Sequence, residues 1–275
     1  MENRLTTKYL AAWICVVIFF GALVFSREPE NSSNSIAQKI IEAKDILKNG
    51  VNIWDPELMK RARDQFLRLL ARKKQENFDL LYYMAFCDYR LANYYIASQE
   101  MNKAETYTKE SQMYLEKAME LEPDSGELDA LYATMLGFEI AFHQEKAMSL
   151  GLQIFQCFGK ALEKSPENPR VHLLKGISDL FTPEQFGGGP DAAIKTLSKS
   201  IELFGKENIQ DPVKPSWGKD EAYTFLGLTY SQKKETKKAE EMFKKALEIN
   251  PEFGLAKEEL RKIKKLSLSQ RCMVL

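Results

Sequence analysis

In this chain of 275 residues, 39 Lys and Arg are cancelled by 39 Asp and Glu. Such a balance gives no net basic surface for neutralising phosphates, which argues against nucleic acid as a partner. Two His, His143 and His172, exclude a His-rich metal centre. A mean hydropathy of −0.37 excludes a multi-span membrane protein. The four Cys (Cys15, Cys87, Cys157, Cys272) contain no CxxC pair, so no disulfide framework is indicated.

The first element in chain order is the uncharged run Tyr9 to Phe25, YLAAWICVVIFFGALVF. Arg4 and Lys8 precede it; Arg27, Glu28 and Glu30 follow. A run of this length can cross the hydrocarbon core, and it is long for the apolar part of a cleavable signal. Residues 1–26 are therefore expected to form a transmembrane anchor or a signal sequence. The basic residues before the run favour a cytoplasmic N-terminus, with the bulk of the chain exported. If the segment is cleaved, the product is secreted or periplasmic. Residues 27–35, REPENSSNS, read as a polar linker containing the sequon Asn31-Ser32-Ser33.

From residue 36 to 268 the pattern is helical. Gly50, Pro56, Pro123, Pro166, Pro169, Gly187 to Pro190, Pro212, Pro215 and Pro251 read as boundaries. Asp55-Pro56 is a helix start, with an N-cap carboxylate and Pro in the first turn. A leading helical part is expected at Ile36 to Lys74, a capping helix at Leu255 to Lys265, and a flexible tail at 269–275. The helical part also repeats. Lys117-Ala-Met-Glu-Leu-Glu-Pro123 recurs as Lys160-Ala-Leu-Glu-Lys-Ser-Pro166 and as Lys245-Ala-Leu-Glu-Ile-Asn-Pro251. Lys199-Ser-Ile-Glu-Leu-Phe-Gly205 is a weaker copy. The closing Pro residues stand 43 and 85 apart, so the weaker copy fills the gap. Units of roughly 40 residues signal stacked helix pairs.

Tyr223, Leu226, Gly227, Tyr230, Ala239, Phe243, Ala246 and Pro251 fall at the spacing W-x2-L-G-x2-Y…A-x3-F…A…P, with Tyr223 in place of Trp. In these residues the chain resembles the tetratricopeptide repeat family. Small Gly227 and Ala239 suit a close helix crossing; Leu226, Tyr230 and Phe243 fill the space between successive pairs. Earlier units depart from the pattern. Gly176 and Ala193 stand 17 apart, against 12 for Gly227 and Ala239, and FTPEQFGGGP is the insertion. Gly137, Phe158, Ala161 and Pro166 fit the second unit, with extra residues around His143 to Met148. Ala85, Leu115, Ala118 and Pro123 fit the first, with a long insertion. The family implies an all-α, right-handed solenoid of about four irregular helix pairs. Asn168-Pro169-Arg170-Val171, Pro183, Phe186-Gly187-Gly188-Gly189 and Trp217-Gly218 resemble exported bacterial proteins of this family, and more faintly the periplasmic T component of TRAP-type uptake transporters.

Chemistry is sparse. No HExxH, GxSxG or GxxxxGK[ST] string occurs, so no catalytic residue, metal site or cofactor is expected. Glu139 and His143 share a helix face but two ligands do not make a zinc site. Gly187-Gly188-Gly189 reads as a tight connector rather than an anion cradle. Trp217 reads as a tether of a linker to the solenoid edge. Glu241 with Lys245 and Glu258 with Lys262 read as i, i+4 pairs on a solvated face. Cys272-Met-Val-Leu275 matches a prenylation box that the exported topology contradicts. In stacked pairs the first helices line a concave groove. Its candidate partner-binding residues are Asp79, Tyr82, Phe86, Tyr89, Thr134, Phe138, Arg170, Leu173, Ile177, Glu221, Thr224 and Leu228. The competing reading for Tyr82, Phe86 and Tyr89 is core. The expected function is a membrane-tethered, non-catalytic scaffold for a protein or peptide. The alternative is an uptake accessory that binds a small apolar ligand or a solute-binding subunit.

Overall fold

The computed structural model describes residues 31–72 and 77–272, with side chains at 36–72 and 77–265. The run Tyr9 to Phe25, the prenylation box beyond Cys272 and the 27–30 part of the linker lie outside the described residues. Among those described, no helix is long and apolar enough to cross a membrane. The chain divides into two compact units, residues 1–39 and 40–275, and the second carries the repeats.

Every regular element among the described residues is helical. Helices α1 (Asn31–Ile53) and α2 (Pro56–Ala71) form the leading part. Four helix pairs follow: α3 (Phe78–Ala97) with α4 (Met101–Leu121), α5 (Gly126–Phe142) with α6 (Ala147–Lys164), α7 (Pro169–Phe181) with α8 (Pro190–Lys206), and α9 (Lys219–Gln232) with α10 (Thr236–Ile249). Helix α11 (Gly254–Cys272) packs on α10. Asp55 caps α2 as its residue type requires, accepting from the Glu57 and Leu58 amides with Pro56 in the first turn. The first unit's extra residues lengthen α3 and α4 themselves, which meet across the short turn Ser98–Glu100.

Gly50 does not bound a helix. It lies inside α1, where an added Cβ would stand 3.0 Å from Leu58 Cβ and from Met59, so its role is to let α2 approach. At Gly227 an added Cβ would stand 2.6 Å from the fully buried Phe243 ring, which is the close crossing the repeat pattern implies. Gly137 is different: a Cβ there meets nothing within 4 Å. Gln144–Lys146 form a 3-10 turn between the two helices of this pair before α6 begins. Helix α6 also meets α7 over fewer residues than α4 meets α5 or α8 meets α9.

The ion pairs correct one sequence assignment. Glu241 and Lys245 pair at 2.7 Å. Glu258 instead pairs with Arg261, and Lys262 with Glu259, each one residue closer along α11. The connector before α8 is self-contained. Gly189 donates its amide to Asp179 O at 2.8 Å and Gly187 to Glu184 O at 2.9 Å, while both adopt positive φ.

Candidate functional site: the inner face

The first helices of the four pairs supply the inner face. Phe78, Tyr82, Phe86 and Tyr89 recur at helix spacing on α3, and neighbouring rings contact one another. Tyr82, Phe86 and Tyr89 are nonetheless buried, at 2%, 5% and 4% exposure. Trp217 of the connector 207–218 and Phe138 of α5 close over them. Trp217 lies on Phe86 with ring centroids 4.6 Å apart and donates from Nε1 to Tyr82 Oη at 2.8 Å. Tyr82 in turn donates to Glu127 of α5, and burial, then the Glu127 charge, hold its hydroxyl well above its usual pKa. Trp217 is thus a tether, as its sequence context suggested, but to the inner face and not to an edge.

Arg90 is the charged centre of this cluster. It donates bidentately to Glu221 of α9, at 2.8 Å from Nη1 and 2.5 Å from Nη2. Its guanidinium carbon lies 4.7 Å from the Phe86 ring centroid, 4.8 Å from Tyr89 and 5.2 Å from Trp217. Aromatic faces carry negative quadrupole density, so the cage favours the cation that Glu221 also holds. A fixed salt bridge therefore joins the first pair to the fourth. Arg170 plays a similar part from α7. It donates to Glu207 Oε1 and to Pro215 O, each at 2.6 Å, and so fixes both ends of the connector.

The remaining inner-face positions divide. Leu173 and Thr224 are fully buried, Leu173 in the α7–α8–α9 core. Ile177 and Leu228 pack against that core while partly exposed. Phe138 stacks on Tyr89 at 5.9 Å, Thr134 donates to Ala130 O, and Asp79 pairs with Lys214 at 3.0 Å. Tyr82, Phe86, Tyr89 and Glu221 are brought together in one cluster, which Arg170 joins through Trp217. Thr134, Ile177, Thr224 and Leu228 serve the packing of their own elements.

Helix α1 closes the remaining side. Ile40, Ala43 and Leu47 form its buried stripe. Lys44 Nζ donates to the carbonyls of Pro212, Val213 and Lys214 at 2.5, 3.3 and 2.6 Å. Burial pulls its ammonium down to about 8, against the attraction of Asp211 and Asp45. Asn52 and Asn250 exchange amide hydrogen bonds, and Asn250 also donates to Asp220. Between α1, α3, the connector, the start of α9 and the end of α10 lies a cleft of about 220 Å³. Phe86, Trp217 and Phe253 supply its apolar wall; Lys48 and Lys219 are exposed at it. Among the described residues neither lysine makes an ion pair. Sequence reasoning selected Phe86 and Glu221 at this cleft and missed Lys44, Lys48, Arg90 and Lys219. A run of lysines carries no mark of where it folds, and α1 carries no repeat motif.

No group of three His, Cys, Asp or Glu side chains converges as a metal site among the described residues. His143 Nε2 stands 3.2 Å from Glu105, while Glu139 accepts from Lys146, so the two residues of that helix face have separate partners.

Residues 220–253 match the tetratricopeptide repeat family model, which begins within α9 and ends at the turn before α11. No curated protein sequence matches the chain. Among solved structures, the HusA haemophore from Porphyromonas gingivalis is similar, with 24% identity and a TM-score of 0.60 over 74% of this chain and 96% of its own. A tetratricopeptide protein of Thermus thermophilus, TTC0263, has 16% identity and a TM-score of 0.49 over 80% of this chain and 98% of its own. The chain carries a tetratricopeptide repeat at 220–253, set in a stack of helix pairs whose fold is that of the HusA haemophore.

Proposed function

We propose that the chain is a non-catalytic interaction scaffold, a right-handed stack tethered to a membrane by its N-terminal segment with the repeats on the exported side. The uncharged run Tyr9 to Phe25 behind Arg4 and Lys8 supports the tether and the orientation. The partner is a protein or peptide. The observation that carries the site is the cleft between α1 and α9, where Lys48 and Lys219 stand beside the Phe86–Trp217 wall. Exposed ammonium groups next to a partly open aromatic surface suit an acidic peptide carrying an apolar side chain. The inner-face residues Tyr82, Tyr89 and Arg170 then act as the rigid backing of the site, and Phe86 and Glu221 as its edge.

Photo-crosslinkers placed at Lys219 and, as a control, at Lys244 on α10 test this in native membranes. The expected result is one crosslinked partner at position 219, absent at 244, and lost on Lys48→Glu with Lys219→Glu. Equal labelling at both positions ends the cleft assignment.

A second reading, a small apolar ligand serving uptake, is favoured by the aromatic wall of the same cleft and by the haemophore role of HusA. It predicts saturable quenching of Trp217 emission by haem or another planar ligand, weakened at least about tenfold by Lys219→Glu. Linear, non-saturating quenching excludes it.

A further inference from the structure

Helix α6 presents an apolar face that no element of the described chain covers. Met148, Leu152 and Phe155 are 77%, 60% and 73% exposed, and their spacing puts them on one stripe. Isolated exposed apolar residues are ordinary, but three large ones in register on one helix mark a contact surface. The cause lies in the fold. Gly137 of α5 makes no close crossing, and α7 covers little of α6.

We propose that this stripe is the contact of a symmetric homodimer, with α6 packed antiparallel on α6 of a second copy. Three observations select a second copy. A two-fold contact brings each side chain near its own counterpart, so a charged strip would repel itself; residues 147–159 carry no charge. Of the flanking lysines, Lys146 and Lys164 are engaged within the chain, by Glu139 at 3.2 Å and Asp129 at 2.6 Å. The exposed Lys160 falls beside Ala147 of the second copy, not beside its own counterpart, in the antiparallel register that seats Met148 over Gly159. The strip is also self-complementary in size. An axis midway between positions 148 and 159 seats Met148 over Gly159 of the second copy and Leu152 over Phe155. Gly159 and Gly151 have open space around them, with nothing within 4 Å of an added Cβ.

The area sets the strength. A helix of 18 residues offers a strip of roughly 250–300 Å², well under the ~800 Å² per partner of a standard stable interface. The dimer is therefore weak, with a dissociation constant in the micromolar range or above, and its population rises with concentration.

Sedimentation equilibrium of the full chain in detergent, from about 10 to 500 µM, tests the proposal. The native chain is expected to pass from monomer to dimer across this range. Phe155→Asp, at an exposed site that leaves the fold intact by circular dichroism, is expected to remain monomeric. Gly159→Leu separates a fitted interface from a merely sticky one. It adds apolar surface but fills the seat of Met148, so dimerisation should weaken at least about tenfold. A native chain that stays monomeric overturns the proposal, as does a Phe155→Asp variant that still dimerises or a Gly159→Leu variant that dimerises more tightly. A monomer that binds phosphatidylcholine vesicles through Phe155 also overturns it, and assigns the face to lipid.

Discussion

Lys234 sits in the turn between α9 and α10 at φ 61°, a left-handed conformation that costs an L-residue about 1–2 kcal/mol. Its side chain is exposed, so nothing but backbone opposes replacement. Lys234→Gly should raise stability by about 0.5–1 kcal/mol, the strain relief less the entropy glycine adds to the unfolded chain. The opposite exchange at Gly227 should lower it, since a Cβ there meets a Phe243 ring with no room to retreat; about 1–3 kcal/mol is expected for Gly227→Ala. Urea denaturation of both variants checks the two signs, and stabilisation by Gly227→Ala would disprove the close crossing. Asp88 supplies a pH dependence. Burial pushes its carboxyl up to about 7 against the pull of Arg63. The folded chain thus keeps a proton that the unfolded chain releases near the ordinary carboxylate pKa of 3.8. Stability from this group is full below that value and is lost as pH rises towards 7. Denaturation midpoints should fall between pH 4 and 7 in the native chain, and Asp88→Asn should flatten that slope.

Among the elements, α3 and α9 are joined by the buried Arg90–Glu221 pair. Removing one partner strands a charge: Glu221→Gln should cost about 3–5 kcal/mol. Replacing both, Arg90→Met with Glu221→Leu, should recover most of that loss, because the aromatic cage around Arg90 accepts an apolar chain equally well. Chemical denaturation of the three variants gives the coupling energy, and additive losses would show that the two residues do not act as a pair. The elements themselves were legible in the sequence. Gly227, Ala239 and Phe243 recur at a fixed helical offset because close crossings accept few residue types, and Asp55-Pro56 can hardly do anything but start a helix. The pairing of Arg90 with Glu221 was not legible. The two are 131 residues apart, and nothing in the local pattern around either distinguishes a caged charge from a solvated one. The same blindness hid that Arg170 and Glu221, chosen as groove positions, each have a partner within the chain. Gly137 misled for a related reason: a glycine at the right offset marks a crossing only if the second helix follows directly, and the 3-10 turn at Gln144–Lys146 intervenes.

An open stack of repeats behaves as a one-dimensional array, in which each unit feels only its neighbours. Here α1 and the connector 207–218 link distant parts of the second compact unit. Asn52 of α1 bonds Asn250 at the end of α10, and an added Cβ at Gly254 would stand 2.6 Å from the Asn52 carbonyl oxygen. Lys44 holds three carbonyls of the connector. Contacts of this kind should make α1 and the last repeat unfold together. Asn52→Leu tests this, since it leaves the buried Asn250 amide without one partner, at a cost of about 1–3 kcal/mol. In an open array the loss would loosen α1, α2 and α3 alone. In the closed arrangement the amides of 246–257 and of 212–217 should also exchange faster, although they lie some 160 to 200 residues away in sequence. Hydrogen exchange read by mass spectrometry separates the two cases. Faster exchange confined to residues 40–97 would mean that α1 rests on the stack without closing it, and the cleft beside Lys48 would then be the edge of an open groove.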